Sequence, residues 1–145
     1  MSASAPSTTL TVPRPMAEAL LELAREELPN EACALLGGDA STGQALSLHP
    51  TRNREASPLR YSVHPDDLVR ITFALEEVGQ DLLAIFHSHT HTPPVPSPTD
   101  LRAAQYPDAF YLLASLTDPT ARPEEALRAW RIRGGESAEM ELVIT

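Results

Sequence analysis

The chain has 145 residues, 42% of them apolar, with a formal charge of −9 at pH 7. That length favours a single domain with a core of its own, and the acidic balance makes a phosphate backbone a poor partner. Every basic residue is arginine, so lysine Schiff-base chemistry is excluded, and the single cysteine, Cys33, excludes an internal disulfide framework.

Residues 1–8 are rich in Ser, Thr, Ala and Pro and read as a loose tail ahead of a domain spanning 9–145. They lack the basic and apolar regions of a signal peptide, and no apolar run approaches a membrane span; a soluble, cytoplasmic protein is expected. Pro13 and Pro15 stand at the start of a helical pattern in which Met16, Leu20, Leu23, Ala24 and Leu28 share a face, closed by Pro29. Ala32 to Leu36 is a short apolar run ended by Gly37-Gly38, read as a buried strand, with Gln44 to His49 as its partner. Pro50 to Arg60 reads as irregular and Tyr61 to Val63 as a short strand.

A second helix starts at Pro65-Asp66-Asp67, carries Leu68, Ile71, Leu75 and Val78 as its apolar stripe, and stops at Gly79. Leu82 to Phe86 is continuously apolar, as a strand covered on both faces would be, and runs into His87. Ser97-Pro98-Thr99-Asp100 predicts a helix start, with Ser97 as cap and the helix running on through Leu101 to Gln105. Phe110 to Leu116 is a second apolar strand, Ala126 to Arg133 a third, and Met140, Leu142 and Ile144 mark a last one. This order predicts a mixed sheet with helices on its faces.

Chemistry concentrates at His87-Ser88-His89, followed after seven residues by Ser97 and after two more by Asp100. Residues i and i+2 of a strand point the same way, so His87 and His89 can aim two nitrogens at one metal, and Asp100 in the next helical turn can supply a third ligand. Three protein ligands with one position open is the catalytic zinc pattern, and no Cys-x-x-Cys pair is present to suggest a structural site. Pro93, Pro94, Pro96 and Pro98 stiffen the connection between the histidines and Asp100. Ser97 and Asp100 also fit a plain capping arrangement, and both readings can hold together. Glu31 by itself reads as a solvated residue at a helix–strand junction. His91 reads as a solvated loop residue, His49 and His64 as structural or surface residues, and Cys33 as a small buried hydrophobe.

Glu31, His87-Ser88-His89, Ser97 and Asp100 together resemble the signature of the JAMM metalloproteases, the catalytically competent MPN domains. Thr90 departs from the Pro common after the second histidine, and Phe86 stands at a common Tyr or Trp position. The resemblance spans roughly residues 10–145. It implies an α/β fold, a three-layer cytidine-deaminase-like sandwich with the zinc site at a strand end. It also implies one Zn2+ per chain held by His87, His89 and Asp100, with Glu31 as general base and Ser97 stabilising the oxyanion. The implied reaction is hydrolysis of the amide bond after the C-terminal Gly-Gly of a ubiquitin or ubiquitin-like protein. The chain looks most similar to small stand-alone prokaryotic members acting on sulfur-carrier-type proteins, and it has little room for the inserted loops of eukaryotic deubiquitinases. A non-catalytic MPN-like binding module, and a zinc amidase releasing an amino acid such as cysteine from a carrier, are the competing readings.

Overall fold

The structure, a computed structural model, describes residues 5–145. Seven strands and four helices follow in the order β1 (Thr9–Val12), α1 (Arg14–Glu26), β2 (Cys33–Asp39), β3 (Gln44–Thr51), α2 (Pro65–Glu77), β4 (Asp81–His89), α3 (Pro98–Ala103), β5 (Phe110–Ser115), α4 (Pro123–Ala126), β6 (Leu127–Arg133) and β7 (Glu136–Ile144). The strands lie side by side as β1-β3-β2-β4-β5-β6-β7, and β1 closes the sheet on itself by pairing in parallel with both β7 and β3. The β4–β5 pair is parallel and the β2–β4, β5–β6 and β6–β7 pairs are antiparallel, which makes the sheet mixed, as expected.

Alternation along the central strands divides the apolar residues between two faces. Ala34, Leu36, Ala84, Phe86, Leu112 and Ala114 face a cluster that includes Leu20, Leu21 and Ala24 of α1. Leu35, Ile85, Tyr111 and Leu113 face a second cluster with Ile71 and Leu75 of α2. The central strands are therefore covered on both sides, and that is why they read as unbroken apolar runs. Gly37 lets α2 settle close to the sheet, since a Cβ there would collide with the Leu75 side chain.

Several elements differ from expectation in their bounds. Helix α1 ends at Glu26, short of Pro29, because a residue before proline avoids the helical region; Leu28 swings out and is 48% exposed instead of lying on the buried stripe. Val78 lies past the end of α2, at its C-cap, and is exposed; the helix closes there because Gly79 takes φ +70°. Tyr61 to Val63 forms no strand, only a single bridge from Val63 to Asn53. Strand β1 and the one-turn helix α4 were not expected. Thr9–Val12 is too short to show a period alone, and it becomes a strand by pairing with β7 over four residues. Helix α3 stops at Ala103; beyond it the amides of Gln105 and Tyr106 donate to the Tyr111 hydroxyl at 3.1 Å each.

Candidate metal centre

His87 and His89 are at the end of β4, between β2 and β5, and both are buried. Their Nε2 atoms lie 3.2 Å apart. Asp100 Oδ2 is 3.2 Å from His87 Nε2 and 3.0 Å from His89 Nε2. Three potential ligand atoms thus form a nearly equilateral triangle. Tetrahedral zinc with bonds of about 2.0–2.1 Å separates its ligands by about 3.3 Å, so the triangle has the size of one face of such a site.

The convergence of two imidazole nitrogens and a carboxylate oxygen favours a cation at this place. Burial lowers the His89 pKa, but its contacts with Asp100 and the Pro93 carbonyl outweigh it and raise the ring on balance; with Nδ1 donating to Pro93 O at 2.8 Å, Nε2 is the nitrogen that carries the lone pair when the ring is neutral. That lone pair faces a carboxylate oxygen and a second imidazole nitrogen. His87 Nδ1 is buried without a partner, and the Tyr61 ring stacks on His87 with centroids 4.0 Å apart. Burial pushes the His87 pKa down, against hydrogen bonding to Asp100, so the ring is held neutral and fit to ligate. For Asp100, burial opposes the charged form, but the adjacent His87 and His89 rings and the Ser97 amide outweigh it and hold the carboxyl well below the usual range. These residues fit a zinc ion in both donor set and spacing.

Asp100 has two roles in one geometry. Ser97 caps α3: its Oγ accepts from the Asp100 amide at 3.1 Å, while Asp100 Oδ2 accepts from the Ser97 amide at 2.9 Å. The cap therefore fixes the rotamer that turns Oδ2 toward the histidines. The Ser97 hydroxyl proton has no acceptor among the described residues in this bonding pattern and stays available for a ligand.

Glu31 reaches the site through strand register. Cys33 pairs with His87 across the antiparallel β2–β4 ladder, and Ser88 N donates to Ala32 O at 3.0 Å, carrying the pairing one residue beyond the strand. Glu31, the next residue, lies close enough to His89 and Asp100 for their charges to act on it. Glu31 is 5% exposed and its Oε1 has no hydrogen-bond partner. Burial chiefly, with the nearby Asp100 charge adding and His89 opposing, pushes its carboxyl up to about 7. A carboxyl so tuned can take and return a proton near neutrality. It is no part of the ligand triangle, in which only His87, His89 and Asp100 converge.

The remaining candidates fall elsewhere. His91 is exposed, with Nδ1 2.7 Å from Thr90 Oγ1. His64 caps α2, its Nδ1 accepting from the Asp66 amide, and His49 contacts Ser47. Cys33 is buried, which pushes its thiol up to about 11 and makes it a poor nucleophile.

Four supporting residues escaped the sequence reading. Ser88 Oγ accepts from the buried Ala32 amide at 2.8 Å and keeps the Glu31 segment against β4. Trp130 Nε1 donates to Pro94 O at 2.9 Å, and Ser115 Oγ to Thr92 O at 2.8 Å; both pin the proline loop that carries the Pro93 carbonyl. Asn53 donates to Glu31 O at 3.0 Å. Ser88 alone left a signal, as a hydroxyl alternating onto an apolar face that must find a partner there.

Comparison with known proteins agrees with this geometry. The family model described as prokaryotic homologs of the JAB domain matches residues 13–133. A desampylase of Haloferax volcanii is 31% identical over 143 residues, covering 95% of this chain and 98% of the relative. A CysO-cysteine peptidase of Mycobacterium tuberculosis is 33% identical over 130 residues, covering 90% and 87%. The solution structure of protein DSY2949 from Desulfitobacterium hafniense superposes with a TM-score of 0.83 at 31% identity, covering 94% of this chain and 92% of that one. With a signature-bearing site on a matching fold, the chain belongs to the JAMM/MPN metallopeptidase family, among the prokaryotic homologues of the JAB domain.

Proposed function

We propose that this protein hydrolyses the amide bond after the C-terminal Gly-Gly of a ubiquitin-like protein of the sulfur-carrier type, releasing the amine attached there. The observation that carries the reading is the triangle of His87 Nε2, His89 Nε2 and Asp100 Oδ2 with the buried carboxyl of Glu31 near it. The relatives' names, desampylase and CysO-cysteine peptidase, supply the substrate class. A zinc ion held by His87, His89 and Asp100 would supply Lewis acidity and an acidified water. Glu31 takes a proton from the attacking water as its oxygen bonds to the glycine carbonyl carbon. The Ser97 hydroxyl donates to the developing oxyanion, a contact typically worth about 2.7–4 kcal/mol. Glu31 then returns the proton to the departing nitrogen as the C–N bond breaks, leaving a carboxylate and a free amine.

Residues 9–145 are proposed to act as one domain, with 1–8 outside it. In support, one sheet takes strands from Thr9 through Ile144, and β1 and β7 pair across the whole sequence distance. No helix among the described residues is long and apolar enough to cross a membrane. The cytoplasm, where carriers of this class would be met, is the proposed compartment.

The test uses zinc-loaded protein and a panel of Gly-Gly-ended ubiquitin-like proteins bearing C-terminal extensions, read by intact-mass spectrometry. Products ending at Gly-Gly, absent with Glu31→Gln, are expected. Binding of the carriers without cleavage would replace the hydrolase by a docking module.

A further inference from the structure

The segment between β3 and α2, residues 52–64, crosses beside the site without forming a helix or a strand of its own. It is organised by one side chain. Asn53 Nδ2 donates to Glu31 O at 3.0 Å and to Arg60 O at 3.1 Å, and its Oδ1 accepts from the amides of Glu55 and Ser62 at 3.0 Å each. All four capacities of the carboxamide are used, two carbonyls on the nitrogen side and two N–H groups on the oxygen side, which fixes its orientation. The Glu31 peptide is held on both edges by this segment: its N–H donates to Ser57 O at 2.8 Å and its C=O receives Asn53. The same segment carries Tyr61, stacked on His87, and Pro58, whose carbonyl receives the Thr90 hydroxyl at 3.0 Å.

The Glu31 side chain, by contrast, has an Oε1 with no hydrogen-bond partner. Its carboxylate must take its place from the main chain beneath it. The β2–β4 ladder fixes that main chain only from Ala32 onward, through Ser88. Upstream of Ala32, the restraint on Glu31 comes from the 52–64 segment.

We propose that Asn53 is the positioning residue that sets the Glu31 carboxylate for proton transfer, acting through the Glu31 carbonyl. This rests on the reading of Glu31 as the proton carrier. None of the Asn53 side-chain hydrogen bonds reaches His87, His89 or Asp100; it acts by coupling Glu31 to the segment that also covers His87.

The test is Asn53→Ala in the full zinc-loaded chain, in the parent and in a Glu31→Gln background. Amide exchange followed by NMR should show the Glu31 N–H losing protection by about tenfold or more, because its bond to Ser57 O depends on the segment, while Ala84 and Leu112 amides in the core keep theirs. Zinc content should remain one per chain. With a Gly-Gly-ended ubiquitin-like protein extended by a short peptide, kcat should fall by about tenfold to a hundredfold and KM change by less than about threefold. In the Glu31→Gln background the same substitution should cost less than about twofold, because the group it positions is gone. Unchanged Glu31 exchange, or an equal kcat loss in both backgrounds, would overturn the proposal. If Asn53→Ala does not fold, Asn53→Asp keeps the acceptor for Glu55 and Ser62 and removes the donors to Glu31, so the same exchange result is required of it. A parent chain that cleaves no carrier would defeat the hydrolase reading, and the exchange measurement would still decide whether Asn53 holds Glu31.

Discussion

On one side of the site, His87 and His89 are residues of β4, His87 laddered to both β2 and β5 and His89 to β5. On the other side, the 52–64 segment lies over His87 and Glu31 with one backbone bond between them, from the Glu31 N–H to Ser57 O, and is otherwise held by side chains: the Asn53 carboxamide, the Thr90 hydroxyl and the Tyr61 ring. A ladder bond between backbones survives most substitutions, whereas a side-chain bond is lost with its residue. The ligand wall is therefore robust except at the ligands themselves, while the wall beside Glu31 depends more on single side chains. The same contrast separates the two ends of the connection to α3. Asp100 is oriented by the cap of its own helix, but the loop before it depends on Trp130 and Ser115 from other strands.

The largest effect should come from the ligand wall. His89→Ala should abolish turnover and drop zinc from one per chain to background in elemental analysis, with near-native circular dichroism, since both apolar clusters are built without the metal. Full zinc occupancy in the variant would remove His89 from the ligand set. Chelation of the parent should act likewise, stopping activity while the far-ultraviolet spectrum stays.

Next in size is Glu31→Gln, expected to lower kcat by about a hundredfold to ten-thousandfold with zinc content unchanged. Its pH behaviour sharpens the assignment. Glu31 must be deprotonated to accept a proton, and burial raises its carboxyl to about 7, so kcat/KM should climb through neutrality and level off above it. Linkage has the opposite sign for stability. A raised carboxyl pKa means the folded state binds the proton more tightly, so Glu31 costs stability increasingly as pH rises from its unfolded value toward 7. In the zinc-free protein Glu31→Gln should raise Tm by a few degrees at pH 8 and by almost nothing at pH 4. An equal gain at both would show that the carboxyl is not the source.

Ser88→Ala tests the seam between the two walls. It leaves the buried Ala32 amide without an acceptor and should cost about 1–3 kcal/mol in urea unfolding, with a smaller loss of kcat than Glu31→Gln. The smallest effect should belong to Trp130→Phe, which keeps an aromatic ring but frees the Pro94 carbonyl. Zinc affinity, measured by competition with a chromophoric chelator, should weaken by about threefold to tenfold as His89 loses a firm Pro93 acceptor. A loss as large as that of His89→Ala would mean the indole is holding far more than the loop.

Most of the strand and helix pattern was legible because burial on both faces of the sheet writes continuous apolar runs, as in Leu82 to Phe86 and Phe110 to Ala114. Boundaries were less so. Leu28 and Val78 fit their helical stripes by spacing, yet each lies where the backbone has already left the helix, under the influence of Pro29 and Gly79. Thr9–Val12 carries too few residues to announce a strand without its partner. Within the site, the histidines, Ser97 and Asp100 were legible because they lie within 14 residues on a strand, a stiff loop and a helix cap. Glu31 was not legible on its own, being separated from them by two strands and a helix, and it gained a role only through the family signature.

By itself the amino-acid order determined a mixed α/β domain and a His-x-His pair with a capped Asp to meet it, since these follow from local periodicity, strand alternation and cap geometry. Only the tertiary structure decided that Glu31 comes near His89 and Asp100, that one asparagine ties its carbonyl to the segment over His87, and that an indole from β6 steadies the loop behind His89. Those are contacts between residues far apart in the chain, set by strand register and by how loops pack, and neither leaves a period in the sequence.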